Sequence, residues 1–236
     1  RASYFETLAK STLEDQSAIE PTVVGGFSQR FNDQAGTRAR VWAGGIDYKI
    51  PSSTYLGVEW MGRWLREEST LAVPVFDFDF SVPNVESVIG AQDYEDFSRQ
   101  DMVRAYAAQI LGTSWVVGLD YQWTELRRTD PDAYESQQTN RIGGALRYFH
   151  PCGFFAATKA TWRSQDRSGG LFVSDGLEQF WIFDAELGYR LPRRRGKLAL
   201  EFLNIGGENF EYDQAIGFEP AIAPDFAVLA RAEFNF

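Results

Sequence analysis

The sequence is poor in the residues that hold small disulfide-rich or metal-dependent domains together. Its 236 residues include one cysteine, Cys152, so no disulfide can form within the chain. That cysteine and the single histidine, His150, are too few soft ligands for a structural zinc site. With nine prolines, 21 glycines and 15% aromatic residues, the chain is neither collagen-like nor disordered. We therefore expect one folded domain over residues 1–236, with no cofactor and no metal.

Long apolar runs are absent as well. No stretch approaches the roughly 18 consecutive apolar residues of a membrane-spanning helix. No charged-then-apolar signal segment opens the chain at Arg1. The formal charge of −10 is opposed only by the short basic run 193–195. Since such a chain repels a phosphate backbone, we do not expect nucleic acid as a partner.

What the sequence does contain is a repeated alternation of apolar and polar residues. Apolar side chains occupy every second position of residues 115–124, and the segments with the same period of two are 42–49, 56–64, 141–148 and 181–190. Successive side chains of a β-strand point to opposite faces, so this period predicts strands with one apolar and one polar face. Residues 101–112 carry polar groups on both faces, and their facing stays open.

Strand length favours a bilayer. We predict eleven strands of about nine to fourteen residues, longer than the soluble average of about five or six and sufficient for the roughly 9 to 11 residues of a tilted membrane-spanning strand. Their centres lie near residues 7, 27, 44, 61, 107, 120, 145, 159, 185, 200 and 231. The sequence predicts no helix.

The predicted connections alternate between long and short. The long ones are 69–100, 128–138, 164–177 and 206–224, and the short ones are 51–54, 112–114, 151–153 and 192–196. Outer-membrane barrels have short periplasmic turns and longer extracellular loops. The predicted fold is therefore an all-β, antiparallel transmembrane β-barrel.

The C-terminal strand carries a family resemblance. Alternate residues from Phe226 to Phe236 form an apolar face that ends in Phe234 and Phe236. This strand resembles the closing strand of bacterial outer-membrane proteins, whose terminal aromatic residues act as the signal for the barrel-assembly machinery. Residues 198–236 are similar to the last two strands of TonB-dependent receptors, and Asn204 matches the Asn of the family's Asn-Leu-Phe-Asp-like run. They also fit plugless exporter barrels linked to periplasmic tetratricopeptide-repeat domains.

The resemblance implies a location and partners. We expect a protein of the outer membrane of a Gram-negative bacterium, in contact with the lipid bilayer and the barrel-assembly machinery. We expect it to form the wall of a transport pathway, with receptor-like uptake favoured. A periplasmic energy-coupling or repeat-domain partner is compatible with this expectation. A plugless exporter or porin-type barrel and a soluble ligand-binding β-barrel remain the alternatives. An odd strand count further predicts that at least one strand precedes Arg1, since complete bacterial barrels usually have an even number.

If the apolar faces meet lipid, the opposite faces line the interior. The predicted interior side chains comprise eight cations and seven anions: Arg30, Arg63, Arg141, Arg147, Lys159, Arg163, Arg190 and Arg231, with Asp47, Glu59, Asp120, Asp184, Glu186, Glu201 and Glu233. A balanced set of this kind can be an ion-pair network that holds the wall together or a conduit that screens solutes by charge.

Two further features bear on function. Tryptophan and tyrosine cluster toward strand ends, which is typical of aromatic girdles at the headgroup level. The girdle candidates are Trp64, Trp123 and Trp162 near long loops, and Tyr48, Tyr55, Trp115, Tyr148 and Tyr189 near short turns. His150 is the only histidine base and lies with Cys152 in a predicted short turn, so we expect no catalytic residues and no enzyme.

Overall fold

A single antiparallel sheet dominates the fold. The computed structural model describes residues 1–8, 23–24, 26–28, 36–77, 86–128, 136–168, 175–192, 195–208, 211–212, 221–222 and 225–234. Ten strands form the main sheet, in the order β1-β4-β5-β6-β7-β8-β9-β10-β11-β14. Two small hairpins, β2-β3 and β12-β13, complete the described strands.

The strands of the main sheet are long in its centre and shorter at its edges. They are β1 (Ala2–Leu8), β4 (Arg38–Ile50), β5 (Thr54–Asp77), β6 (Glu86–Leu111), β7 (Trp115–Arg128), β8 (Ser136–Phe149), β9 (Phe154–Ser168), β10 (Gly176–Arg190), β11 (Gly196–Leu203) and β14 (Ala227–Phe234). The hairpin strands are β2 (Val23–Val24), β3 (Phe27–Ser28), β12 (Glu211–Tyr212) and β13 (Ala221–Ile222).

The all-β antiparallel prediction is confirmed, whereas the count of eleven spanning strands is wrong. The segment around residue 27 forms only the two-residue strand β3, which pairs with β2 outside the main sheet. The main sheet therefore has ten strands, which is an even number. The prediction of a preceding strand depended on an odd count and no longer follows from it.

The predicted loop 69–100 is also wrong over most of its length. Strands β5 and β6 continue as a paired ribbon from Thr54–Gln109 to Asp77–Glu86, so this hairpin extends well beyond the others. Its outer part is rich in acidic and β-branched residues and lacks the clean alternation of apolar residues that revealed the rest of the sheet.

Short turns join the strands where proline and glycine predicted them. Gly153 in the β8–β9 turn has a φ of 104°, and its carbonyl accepts a hydrogen bond from the Arg190 amide at 2.8 Å. A Cβ at Gly153 would lie 2.6 Å from the Arg190 carbonyl oxygen, so only glycine fits this close approach.

The register advances steadily across the sheet. A perpendicular row of partners that starts at Thr54, the first residue of β5, passes through Val117, Thr158 and Phe202. These residues lie two, four and six positions beyond the first residues of β7, β9 and β11. A shift of one residue per strand, about 3.3 Å against a strand spacing of about 4.8 Å, corresponds to a tilt of about 35°.

The sheet is not closed into a barrel. In the described part of the chain, β1 pairs only with β4, and β14 pairs only with β11. Because β1 and β14 run in opposite directions, the two free edges of the sheet have antiparallel polarity.

Candidate functional site

The register gives the sheet two chemically different faces. Residues paired across antiparallel strands point to the same face, and every described pairing in the main sheet keeps a constant register without a bulge. We call the face that carries Glu59 and Arg104 the charged face. The opposite face, which carries Trp60 and Leu119, is the apolar face.

The apolar face has a band without charge on nine strands. On the nine strands from β4 to β14 of the main sheet, no apolar-face position within eight residues of a short turn, or of Phe234 for β14, carries Asp, Glu, Lys, Arg or His. Apart from tyrosines, the polar residues in this band are Thr54, Gln109 and Thr158, and Asn140 lies just beyond it. Its large side chains lie in the open, as the 59% exposure of Leu119 illustrates.

Aromatic residues mark both limits of this band. All seven tryptophans lie on the apolar face: Trp42, Trp60, Trp64, Trp115, Trp123, Trp162 and Trp181. Of the girdle candidates, Tyr55 lies on the charged face instead, where the Lys49 Nζ is 5.3 Å from the centre of its ring. From Trp115 to Trp123 the strand rises about 26 Å, or about 22 Å normal to the turns at a 35° tilt.

The charged face is the sheltered one. Arg63 is 3% exposed and Gln165 is 0% exposed, although among the described residues no second layer of secondary structure covers the whole of this face. An exposed apolar face and a sheltered charged face reverse the arrangement of a soluble sheet protein.

The register brings almost all of the predicted interior residues onto the charged face. They are Asp47, Glu59, Arg63, Asp120, Arg141, Arg147, Lys159, Arg163, Asp184, Glu186, Arg190, Glu201, Arg231 and Glu233. Arg30 lies outside the described residues. Whether this face lines a lumen depends on closure of the sheet, so the interior role of these residues stays a prediction.

Ion pairs and hydrogen bonds connect neighbouring strands on this face. The Arg104 Nη1 lies 3.3 Å from the Glu59 Oε1, and its Nε donates to the Gln122 Oε1 at 3.3 Å. One strand further, the Arg141 Nη2 lies 2.7 Å from the Asp120 Oδ2. These contacts join β5, β6, β7 and β8 in one lateral series.

A second group of ion pairs joins the last strands. The Arg231 Nη1 lies 3.2 Å from the Glu201 Oε1, and the Lys197 Nζ lies 3.5 Å from the Glu233 Oε1. Each pair connects β11 to β14 on the charged face. All four side chains are accessible to solvent to some degree, so each contact is worth about 0–1 kcal/mol in water.

Glycines on the charged face accommodate side chains from the adjacent strand. The ring of Tyr106 crosses Gly57, where a Cβ would lie 2.1 Å from the Tyr106 Cε1. That position lets the Tyr106 hydroxyl donate to the Asp47 Oδ1 at 2.8 Å. The Asp120 carboxylate crosses Gly143 in the same way.

An apolar patch interrupts the charged face at β4, β5 and β6, and Phe27 covers it. The buried members of this patch are Phe27, Ala39, Val41, Ala43, Met61, Leu65 and Met102, with Phe5 packed against them. Phe27 is 1% exposed. The β2-β3 hairpin therefore rests on the charged face rather than extending the sheet.

Arg1 connects this hairpin to the wall. Its Nη1 donates to the Gly26 carbonyl at 2.8 Å, and its guanidinium carbon lies 4.9 Å from the centre of the Phe27 ring. The same side chain pairs with Glu59 at 3.0 Å and Asp47 at 3.3 Å. It thereby links two strands of the sheet to the residues that cover the apolar patch.

Sequence reasoning missed Arg1, Arg104 and Lys197 as members of the charged face. Arg104 lies in the segment whose facing alternation could not assign, and only its pairing with Glu59 resolves it. Alternation along β11 could have identified Lys197, since it stands two residues before Ala199 and four before Glu201 and therefore shares their face.

His150 and Cys152 form a local contact in the β8–β9 turn. The His150 Nδ1 lies 2.9 Å from the Cys152 Sγ and accepts a hydrogen bond from the Cys152 amide at 3.3 Å. Both residues are exposed, and in the described part of the chain no carboxylate bonds to this imidazole. The absence of catalytic function stays a prediction.

The described residues lack two other kinds of functional feature. They contain no helix of the length and hydropathy needed to cross a bilayer. They also hold no group of three or more His, Cys, Asp or Glu side chains arranged to bind a metal ion.

Comparison with known proteins gives no relative. No family model, curated protein or solved structure matches the chain. The resemblance of residues 198–236 to TonB-dependent receptors stays a prediction.

Proposed function

We propose that the sheet is part of a β-barrel in the outer membrane of a Gram-negative bacterium, and that its charged face lines a transport pathway. The observation that carries the proposal is the charge-free band on the exposed face of nine strands. A Lys or Arg facing lipid at the midplane costs about 2–4 kcal/mol, so a wall exposed to hydrocarbon excludes charge there. A wall exposed to water has no such requirement.

The dimensions of the band support the same proposal. Its height of about 22 Å is close to the apolar band of roughly 25 Å in outer-membrane barrels. The strand tilt of about 35°, inferred from the stagger, lies at the lower end of the roughly 35–45° that is typical of closed barrels. A closed sheet would also pair the free edges of β1 and β14, which hydrocarbon cannot solvate.

A transport role follows from the charged face. Once enclosed, a wall of alternating ion pairs such as Glu59–Arg104 and Asp120–Arg141 holds water and selects solutes by charge. The β2-β3 hairpin on this face narrows whatever space the wall encloses. The resemblance to TonB-dependent receptors is the basis for the direction of transport. We therefore propose uptake through a receptor-like barrel.

Tryptophan quenching tests the lipid-facing arrangement directly. The full-length protein is extracted from the membrane fraction, checked for heat-modifiable migration on a denaturing gel, and reconstituted into vesicles that contain phospholipids brominated along the acyl chain. Because all seven tryptophans lie on the apolar face, we expect strong quenching of nearly the whole emission. A soluble protein with no gel shift and no quenching would refute the proposal and favour a soluble ligand-binding barrel.

Conductance tests the pathway itself. Insertion into a planar bilayer should give discrete conductance steps, and Glu59→Gln together with Asp120→Asn should shift the ratio of cation to anion permeability toward anions. The paired apolar-face changes Gln109→Ala and Thr158→Ala should leave that ratio unchanged. Quenching without any conductance would leave a barrel that does not conduct and would contradict the transport proposal.

A further inference from the structure

Four arginines form a row on the apolar face beyond its charge-free band. Arg38 lies twelve residues before the end of β4, and Arg66 lies twelve residues after the start of β5. Arg99 and Arg127 lie twelve residues from the corresponding ends of β6 and β7. We call Arg38, Arg66, Arg99 and Arg127 the arginine row.

The register places these residues side by side. Arg38 is the direct partner of Arg66, and Arg99 is the direct partner of Arg127. Like charges directly opposite each other on one face of a sheet are destabilising. Two such pairs at one height therefore bring four guanidinium groups close together at a cost that neighbouring carboxylates offset for three of them.

Among the described residues, carboxylates pair with three of the four arginines, and Arg99 engages both oxygens of Asp101, since its Nη2 also donates to the Asp101 Oδ1 at 3.3 Å. The Arg66 Nη2 lies 2.6 Å from the Glu95 Oε1, and the Arg99 Nε lies 2.8 Å from the Asp101 Oδ2. The Nε and Nη2 of Arg127 both donate to the Glu125 Oε1, at 3.1 and 2.9 Å. A guanidinium has five N–H donors, so Arg99 and Arg127 keep donors beyond those these carboxylates use.

Exposure and position suit a ligand at the membrane surface. The side chains of Arg66, Arg99 and Arg127 are 44, 50 and 64% exposed. The Arg99 guanidinium carbon lies 5.3 Å from the centre of the Trp64 ring, at the limit of the apolar band. The row stands about four residues beyond the end of the eight-residue charge-free band, or about 10 Å along the membrane normal, within the headgroup region.

We propose that the arginine row binds the phosphate groups of the phosphorylated glycolipid in the outer leaflet. This inference rests on the proposed function, because it requires the apolar face to lie in the outer membrane with its long loops outside. Guanidinium groups bind phosphate oxygens through paired, charge-assisted hydrogen bonds, and several in a row match a headgroup with more than one phosphate. Binding would also offset the repulsion within Arg38–Arg66 and Arg99–Arg127.

The test compares lipid binding by two variants of equal charge change. Arg38, Arg66, Arg99 and Arg127 are replaced by Gln in the first variant. Arg141, Arg147, Arg163 and Arg190, which lie on the charged face, are replaced by Gln in the second. Each full-length protein is extracted in neutral detergent and titrated with bis-phosphorylated lipid A, dephosphorylated lipid A or phosphatidylglycerol, and bound lipid is counted by native mass spectrometry.

We expect the wild type and the charged-face variant to bind bis-phosphorylated lipid A at least 10-fold more tightly than the row variant does. Equal binding by the row variant would overturn the proposal, as would equal binding of dephosphorylated lipid A or of phosphatidylglycerol by the wild type. Heat-modifiable migration is recorded for all three proteins beforehand. Loss of that migration in the wild type refutes the proposed function itself, whereas its retention with unchanged lipid binding refutes only the site.

Discussion

Replacement of Leu119 by arginine distinguishes a lipid-facing sheet from a water-facing one. Leu119 lies on the apolar face of β7, four residues from Trp115 and four from Trp123, so about 13 Å of strand separates it from either girdle. At this depth an arginine costs about 2–4 kcal/mol in a bilayer, which is about a 30- to 700-fold change in the folding equilibrium. On a protein surface in water, the same change at a residue 59% exposed costs within about 0.5 kcal/mol.

The matched control is Ala157→Arg on the charged face. Ala157 lines an open cavity of about 310 Å³ and stands between Glu186 on one neighbouring strand and Arg147 on the other, so a new guanidinium has space, an anionic partner and a like charge that solvent in the cavity screens. We expect this variant to lose less than about 1 kcal/mol. The free energy of unfolding would be measured by urea titration in phospholipid vesicles, followed by tryptophan fluorescence and by the heat-modifiable gel shift.

The comparison has a clear refuting result. If Leu119→Arg and Ala157→Arg destabilise the protein within about 0.5 kcal/mol of each other, the apolar face does not lie in hydrocarbon. A graded series sharpens the test, since the cost falls to about 0–1 kcal/mol near the membrane interfaces. Glu125→Arg, which lies beyond the band, should therefore cost less than Leu119→Arg.

Three further substitutions test contacts within the fold. Gly57→Val should destabilise the protein by about 1–3 kcal/mol, because its side chain would overlap the Tyr106 ring, and Tyr106→Ala should relieve most of that cost in a double-mutant cycle. Asn204→Ala should cost about 1–3 kcal/mol, because the side chain is 4% exposed and bonds both the amide and the carbonyl of residue 208. Ile205→Ala, at an exposed position, is the control and should be close to neutral in the same urea titration. Phe27→Ala should cost up to about 3–5 kcal/mol and should increase protease cleavage within the β2-β3 hairpin. Unchanged cleavage there would show that the ring does not anchor the hairpin.

Asn204 also shows how a motif can be noticed in sequence before its physical role is known. The resemblance to TonB-dependent receptors selected this residue, and the structure shows where it acts. Its φ is 49°, its amide donates to the Asp184 Oδ1 at 3.0 Å, and its side chain closes the loop that follows β11. Asparagine tolerates this left-handed conformation better than most residues. The regular pairing with β10 ends there, because the Asn204 amide bonds to the Asp184 side chain rather than to a β10 carbonyl, and one further backbone bond, from the Ile205 amide to the Phe183 carbonyl at 2.8 Å, follows it.

The sequence alone determined which residues share a face, because a period of two is a local property of an extended chain. That period separated Trp115 from Asp120, and it gathered the charged side chains on one face before any pairing was known. Strand neighbours and their register depend instead on hydrogen bonds between segments far apart in the chain. Only the tertiary structure therefore decided that β3 leaves the sheet, that Arg104 meets Glu59, and that Arg38 and Arg127 stand at one height. Such contacts depend on which strands pair and in which register, and the pairing of all the strands in the sheet sets both.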